Sequence, residues 1–227
     1  MLHQLNSHLG FDLREIKARL SRLPGILVVL AAWGCSSSAT TSPLPSPGRI
    51  VGYIGCSNTW KVVEGYHNFA NGSNIWEADP NYGGGDIVTW ANDTSNRNPY
   101  WSEFAKLYAG HQETKTLWIQ FCVKSFSTYD QAYSAAIAVI NEAKLRIPGA
   151  TIYVSGLNDF TPLDICQNSG PSGTTFSRQI ADVISSRGIA LKGPVLSALT
   201  RQQTTDGCHP NDEGETILGA QLKSFFQ

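Results

Sequence analysis

Apolar positions in this chain fall into short unbroken runs, separated by longer stretches with helical spacing. Ile50-Val51-Gly52-Tyr53-Ile54-Gly55 is one such run, and it ends in a turn. A strand buried on both faces reads this way, because neither side of its pleat meets water. Lys115 to Phe121 and Ala150 to Ser155 repeat the pattern. Ala190 to Leu196 is weaker, interrupted by Gly193-Pro194, and Asn74 to Ala78 predicts a short edge strand.

Between these runs the spacing turns helical. Tyr129 to Arg146 sets Ala132, Ala136, Val139, Ile140 and Ala143 on one face, and Pro148-Gly149 stops it. Asn98 to Tyr108 carries Trp101, Phe104, Ala105 and Tyr108 on one side, and Phe176 to Ser186 carries Ile180, Val183 and Ile184. A last helix begins after Pro210, with Asn211 as its N-cap and Asp212 and Glu213 in its first turn. Its apolar face is Ile217, Leu218, Leu222, Phe225 and Phe226. Strands alternating with helices predict an α/β fold, a three-layer αβα sandwich around a parallel sheet. Ligands in such sheets sit at the carboxyl ends of the strands, so functional residues are expected just after them.

Composition narrows the class. With 227 residues, 41% hydrophobic and 15% charged, the chain suits one packed domain plus a leader. A formal net charge of -1 and the lack of any basic cluster argue against nucleic acid as a partner. Residues 1–35 read as a signal peptide. Arg14, Lys17, Arg19 and Arg22 precede an apolar run from Leu23 to Trp33 that falls short of the roughly 20 residues a bilayer span needs. Ala32-Trp33-Gly34-Cys35 and the Ser/Thr/Pro-rich tether at 36–48 resemble a bacterial lipoprotein signal, with Cys35 as the lipidated residue. An ordinary signal peptide is the alternative. Either way the chain is expected to be exported, secreted or lipid-anchored at the cell envelope, and to touch a membrane only through Cys35.

Cys56, Cys122, Cys166 and Cys208 remain in the mature part, all within the folded domain expected at residues 49–227. Their spacing contains no CxxC pair, which excludes a zinc ribbon. Cys166 and Cys208 fall in loops at one sheet edge and predict a bridge there. Cys56 and Cys122 end neighbouring strands; the favoured reading is two small buried thiols, with a disulfide as the alternative.

Three blocks carry candidate chemistry. Gly55-Cys56-Ser57-Asn58-Thr59 follows the first strand, so Ser57 opens a helix with its hydroxyl at the sheet edge. Asp206-Gly207-Cys208-His209-Pro210 places an acid and a base three residues apart in a tight turn. A serine hydroxyl needs such a base, and the base needs a carboxylate on its other ring nitrogen. Asn81-Tyr82-Gly83-Gly84-Gly85-Asp86 is a loop whose N–H groups can approach a ligand; without a following Lys-Ser/Thr it is no P-loop. His67 and His111 have no Asp three residues upstream and read as surface or helix residues. Trp60, Tyr66, Trp76 and Trp90 read as core, with a stacking platform for a sugar or aromatic acyl group as the alternative.

Taken together, GCSNT, the glycine block and DGCHP resemble the SGNH (GDSL-like) hydrolase superfamily, over residues 49–227. The resemblance implies a flavodoxin-like parallel sheet. It implies Ser57 as nucleophile, His209 as base and Asp206 as its orienter. It also implies the N–H groups of Ser57 and Gly85 as oxyanion donors, with Gly84 if the register differs by one. No metal or cofactor is implied. Two departures stand out. Cys56 replaces the usual Asp, and Lys124 stands where the family's oxyanion Asn belongs. Lys124 itself is one candidate replacement; Asn158 in Gly156-Leu157-Asn158-Asp159-Phe160 is the other and is favoured as a polar wall of the pocket, with turn chemistry as its alternative.

The function expected is a serine esterase acting on short-chain acyl esters, such as O-acetyl groups on carbohydrate. A lipase of the α/β-hydrolase type would need a mid-chain GxSxG with Asp and His far apart, which is absent. A non-catalytic, surface-anchored carbohydrate-binding protein on the same fold is the other reading.

Overall fold

The structure, a computed structural model, describes residues 49–82, 85–92 and 100–227. The leader and tether at 1–48, and Gly84, lie outside the described residues. Elements run in the order β1 (Val51–Ile54), α1 (Ser57–Asn68), α2 (Ile87–Ala91), α3 (Tyr100–Gly110), β2 (Thr116–Phe121) and α4 (Tyr129–Arg146). There follow β3 (Thr151–Gly156), β4 (Phe160–Thr161), α5 (Gly170–Ser186), β5 (Leu191–Lys192), β6 (Leu199–Thr200) and α6 (Asp212–Phe226).

The apolar runs form the sheet. Strands β1, β2, β3 and β5 lie side by side, all parallel, with Ile54 opposite Ile119 and Ile119 opposite Val154. All of β1 is buried, as its unbroken apolar sequence requires. Beyond β1, the predicted edge strand contracts to one parallel bridge, Val51 to Ile75. Counting that bridge, the spatial order is the flavodoxin-like 2-1-3-4-5. Helices flank the sheet in a three-layer α/β/α arrangement, with α1 packed on α6 and α4 on α2 and α5.

Glycine permits the closest of these contacts. A Cβ on Gly65 would collide with the Glu215 carbonyl, and one on Gly219 with the Gly65 backbone, so α1 and α6 approach backbone to backbone. Helix α4 matches its predicted bounds. Thr128 caps it, its hydroxyl accepting from Gln131 N at 3.2 Å, and Gly149 leaves it at φ +79°. Asn211 caps α6 as predicted, accepting from Gly214 N at 3.2 Å.

Several expectations need correction. Helix α5 begins six residues before Phe176, at Gly170, through a Gly-Pro-Ser-Gly stretch of low helix propensity. Tertiary contact decides this, since a Cβ on Gly173 would strike the Val123 carbonyl. The fourth strand is only two residues, because Pro194 has no N–H to extend the ladder. Strands β4 and β6 pair in parallel over two residues each, too few to leave a periodic signal. His111 is not a surface residue: at 4% exposure it stacks on Trp76, and its Nε2 lies 2.7 Å from Glu77. Tyr66, Trp76 and Trp90 are core residues.

Both cysteine pairs are disulfides. Cys166–Cys208 is the expected bridge, while Cys56–Cys122 replaces the two free thiols favoured from sequence. The parallel register of β1 and β2 places the two cysteines at the same strand ends, 6.1 Å apart at Cα. Replacing both Cys166 and Cys208 by Ala is expected to cost about 2–4 kcal/mol of stability, by releasing a chain segment the bond closes. Urea denaturation read against the unsubstituted chain checks this.

Candidate active site

The site lies where β1 and β2 end side by side, at the point where the strand order reverses. A crevice opens there because successive connections leave the sheet in opposite directions. Cys56 is the N-cap of α1, in extended backbone, and Ser57 is the first helical residue. Cys56 N donates to Thr59 Oγ1 at 3.0 Å, and Thr59 Oγ1 donates to the buried Gln120 Oε1 at 2.7 Å. Gly55 is required by the same turn, since a Cβ there would overlap the Thr59 side chain. The turn that carries Ser57 is thus clamped by a helix cap, a buried hydrogen bond to β2 and a disulfide.

The histidine arrives from the C-terminal side. His209 Nε2 lies 2.8 Å from Ser57 Oγ, across 152 positions of sequence. His209 Nδ1 lies 2.7 Å from Asp206 Oδ2. Asp206 also accepts through Oδ1 from the N–H groups of Cys208, at 2.9 Å, and His209, at 2.8 Å. Gly207 allows the turn with φ +90°, and the disulfide to Cys166 fixes its next residue. Partial burial pushes the Asp206 carboxyl up, but the His209 N–H, the imidazole and the Cys208 N–H outweigh it and hold the pKa at about 2.

The third wall is the start of α2. Asp86 caps it, accepting from Val88 N at 2.9 Å, Thr89 N at 3.2 Å and Thr89 Oγ1 at 2.7 Å. Lys124 Nζ reaches Asp86 Oδ2 at 3.0 Å. Burial raises the Asp86 carboxyl, but the Thr89 and Lys124 hydrogen bonds win and keep it below its ordinary value. Gly85 is buried just before Asp86, beneath Trp90 and Tyr100. Trp90 Nε1 donates to the Gly55 carbonyl at 2.8 Å, joining α2 to the turn after β1.

A cavity of about 260 Å³ opens over Ser57 and His209. Asp86, Lys124, Asn168 and Ser169 line it, with Cys56, Cys122 and Cys208 of the two disulfides. Of the two candidates for the missing asparagine, Lys124 is at the cavity and Asn158 is not. Asn158 is 1% exposed two residues past β3, with its Nδ2 donating to the Asp159 carbonyl and its Oδ1 buried without a hydrogen-bond partner. Sequence reasoning missed Asn168 and Ser169. They reach the cavity because Cys166 is tied to Cys208, and Ser125 N donates to the Asn168 carbonyl at 2.9 Å. Only the spacing from Cys166 hinted at them. Among the described residues, no three His, Cys, Asp or Glu side chains group as a metal site would.

Fold and site together define an α/β/α protein with a serine-hydrolase-like active site, in which a serine hydroxyl is hydrogen-bonded to a histidine. No family model and no curated protein matches the chain. One crystal structure, 14% identical, matches with a TM-score of 0.52 over 79% of this chain and 96% of its own; the likeness is one of fold. A family two carbohydrate esterase from Clostridium thermocellum, solved in complex with cellohexaose, is 15% identical with a TM-score of 0.44. That match spans 81% of this chain and 65% of the esterase chain.

Proposed function

We propose that the chain is an exported serine esterase of the SGNH type, hydrolysing short-chain acyl esters, O-acetyl groups on carbohydrate among them. The observation that carries this reading is the continuous hydrogen-bonded row Ser57 Oγ, His209 imidazole and Asp206 carboxylate. In the reaction, Ser57 Oγ attacks the ester carbonyl while His209 Nε2 takes its proton. The tetrahedral intermediate collapses, His209 returns the proton to the leaving alcohol, and an acyl-Ser57 remains. Water, deprotonated by His209, attacks that acyl group; the C–Oγ bond breaks, His209 returns the proton to Ser57 Oγ, and the acid is freed. Asp206 holds the imidazole in the tautomer that leaves Nε2 free to accept.

The developing oxyanion needs donors fixed before the reaction begins. The N–H groups of Ser57 and Gly85 fill two places in this reading, and Lys124 the third. Asp86 supports that role, since it restrains an otherwise flexible ammonium at the cavity wall. Export is supported by the charged-then-apolar order of residues 14–33 and by the two disulfides.

Turnover of a chromogenic acetate, together with covalent labelling of Ser57 by a fluorophosphonate, tests the proposal. A folded protein that neither turns over the acetate nor takes the label overturns it. Lys124→Met is expected to lower kcat about 10²- to 10³-fold with little change in KM, as for loss of one oxyanion donor. Steady-state kinetics on the same acetate reads this. A loss confined to KM would move Lys124 out of the oxyanion site.

A further inference from the structure

The cavity over Ser57 does not end at the Asp86–Lys124 ion pair. The same two residues form one wall of a larger groove of about 840 Å³, running between α2 and α4. The ion pair is therefore a saddle shared by both spaces. On one side lie Ser57 and His209, and on the other an open trough far larger than a short acyl group needs.

The walls of the trough say what fits it. Thr89, Asn92, Ser127 and Ser134 offer hydroxyl and amide groups. Small apolar side chains, Val88, Ala91 and Ala138, lie between them. At the rim Phe126 is 79% exposed, 5.7 Å from Lys124 Nζ at its ring centroid. Asp86 and Lys124 neutralise one another, and Asp130 adds a carboxylate, so the trough is no receptor for a polyanion. A long acyl chain gains nothing from hydroxyl and amide walls, and crossing the saddle would strip water from an ion pair. A neutral sugar chain has the complementary pattern. Its hydroxyl edges exchange hydrogen bonds with the walls, and its C–H faces pack on Phe126 and the small apolar residues.

Resting on the esterase reading, we infer that the groove between α2 and α4 is an extended subsite for the alcohol half of the ester, a neutral oligosaccharide chain. The acyl group lies in the smaller cavity. The sugar crosses the saddle and continues along α4, so several rings contribute binding energy to one ester cleavage.

The test compares kcat/KM on acetylated xylohexaose, cellohexaose and mannohexaose with that on acetylated monosaccharides. At least one hexasaccharide is expected to be preferred tenfold or more over its monosaccharide. Ser134→Trp, at an exposed α4 position where the fold tolerates bulk, fills the groove and should cut that ratio below twofold. Phe126→Ala should lower it severalfold. A wild-type ratio near one for all three sugars overturns the inference, as does a ratio untouched by Ser134→Trp or a preference for long acyl chains. If the wild-type protein hydrolyses neither size of ester, the esterase reading fails instead. The groove is then read by calorimetric titration of the Ser57→Ala chain with the three hexasaccharides. Binding lost in Ser134→Trp upholds the subsite; no binding, or binding unchanged by Ser134→Trp, overturns it.

Discussion

Replacing Ser57 by Ala is expected to lower kcat on a chromogenic acetate by roughly 10⁴- to 10⁶-fold, with the fold intact. The size follows from the chemistry. In the proposed reaction, loss of the hydroxyl removes the acyl-enzyme and leaves the proposed oxyanion donors to assist direct attack by water. Ser57 is the first residue of α1, and among the described residues its side chain hydrogen-bonds to His209 alone. Losing one part-buried hydrogen bond costs about 1 kcal/mol, a shift of a few degrees in melting temperature at most. His209→Ala should be about as damaging, and the double variant little worse than either, because the two act as one unit. Stopped-flow or long-incubation kinetics on the three variants, beside thermal melts, reads both parts. Losses that simply multiply would mean Ser57 and His209 work independently, against the 2.8 Å contact.

Asp206→Asn should cost roughly 10³- to 10⁴-fold in kcat. The amide presents no charge to the imidazolium that forms during attack, and it favours the tautomer with the proton on Nε2, where Ser57 needs an acceptor. The pH dependence of stability provides a second readout. The folded pKa of Asp206 is depressed to about 2 from an ordinary 3.8. A depressed carboxylate contributes stability that is fully present above the unfolded value and disappears as pH falls through the folded one. The melting temperature of the wild-type chain should therefore exceed that of Asp206→Asn by a constant margin above about pH 4. The margin should shrink between 3.8 and 2. Because the Asp206 side chain is about half exposed, with 52% of it accessible, the margin should be small. A gap that persists unchanged to pH 2 would mean the carboxylate is not held by His209 and Cys208.

The disulfides change how this active site is supported. Cys56 stands directly before Ser57, and Cys208 directly before His209. Ser57 and His209 thus each adjoin a crosslink, one to the residue after β2 and one to the loop that carries Asn168 and Ser169. The site is held by covalent bonds where the family resembled in sequence has an aspartate beside its serine. This also explains why Asn168 reaches the cavity from a segment with no regular structure, residues 162–169.

The sequence alone determined what local physics controls. The unbroken apolar runs gave β1, β2 and β3 within a residue, because a strand buried on both faces leaves no other pattern. The i, i+4 spacing and its caps gave α4 and the start of α6, since those signals lie within a few residues of one another. The Asp206–His209 contact was legible for the same reason: three residues in one turn meet without help from the rest of the fold. Tertiary structure alone decided what depends on residues far apart. It brought His209 to Ser57 across the chain, bonded Cys56 to Cys122 and buried His111 against Trp76. It kept Lys124 at the cavity and left Asn158 outside, although both follow parallel strands of one sheet. Spacing along the chain cannot rank such pairs, because neighbouring strand ends look alike in sequence and differ only in which loop covers them.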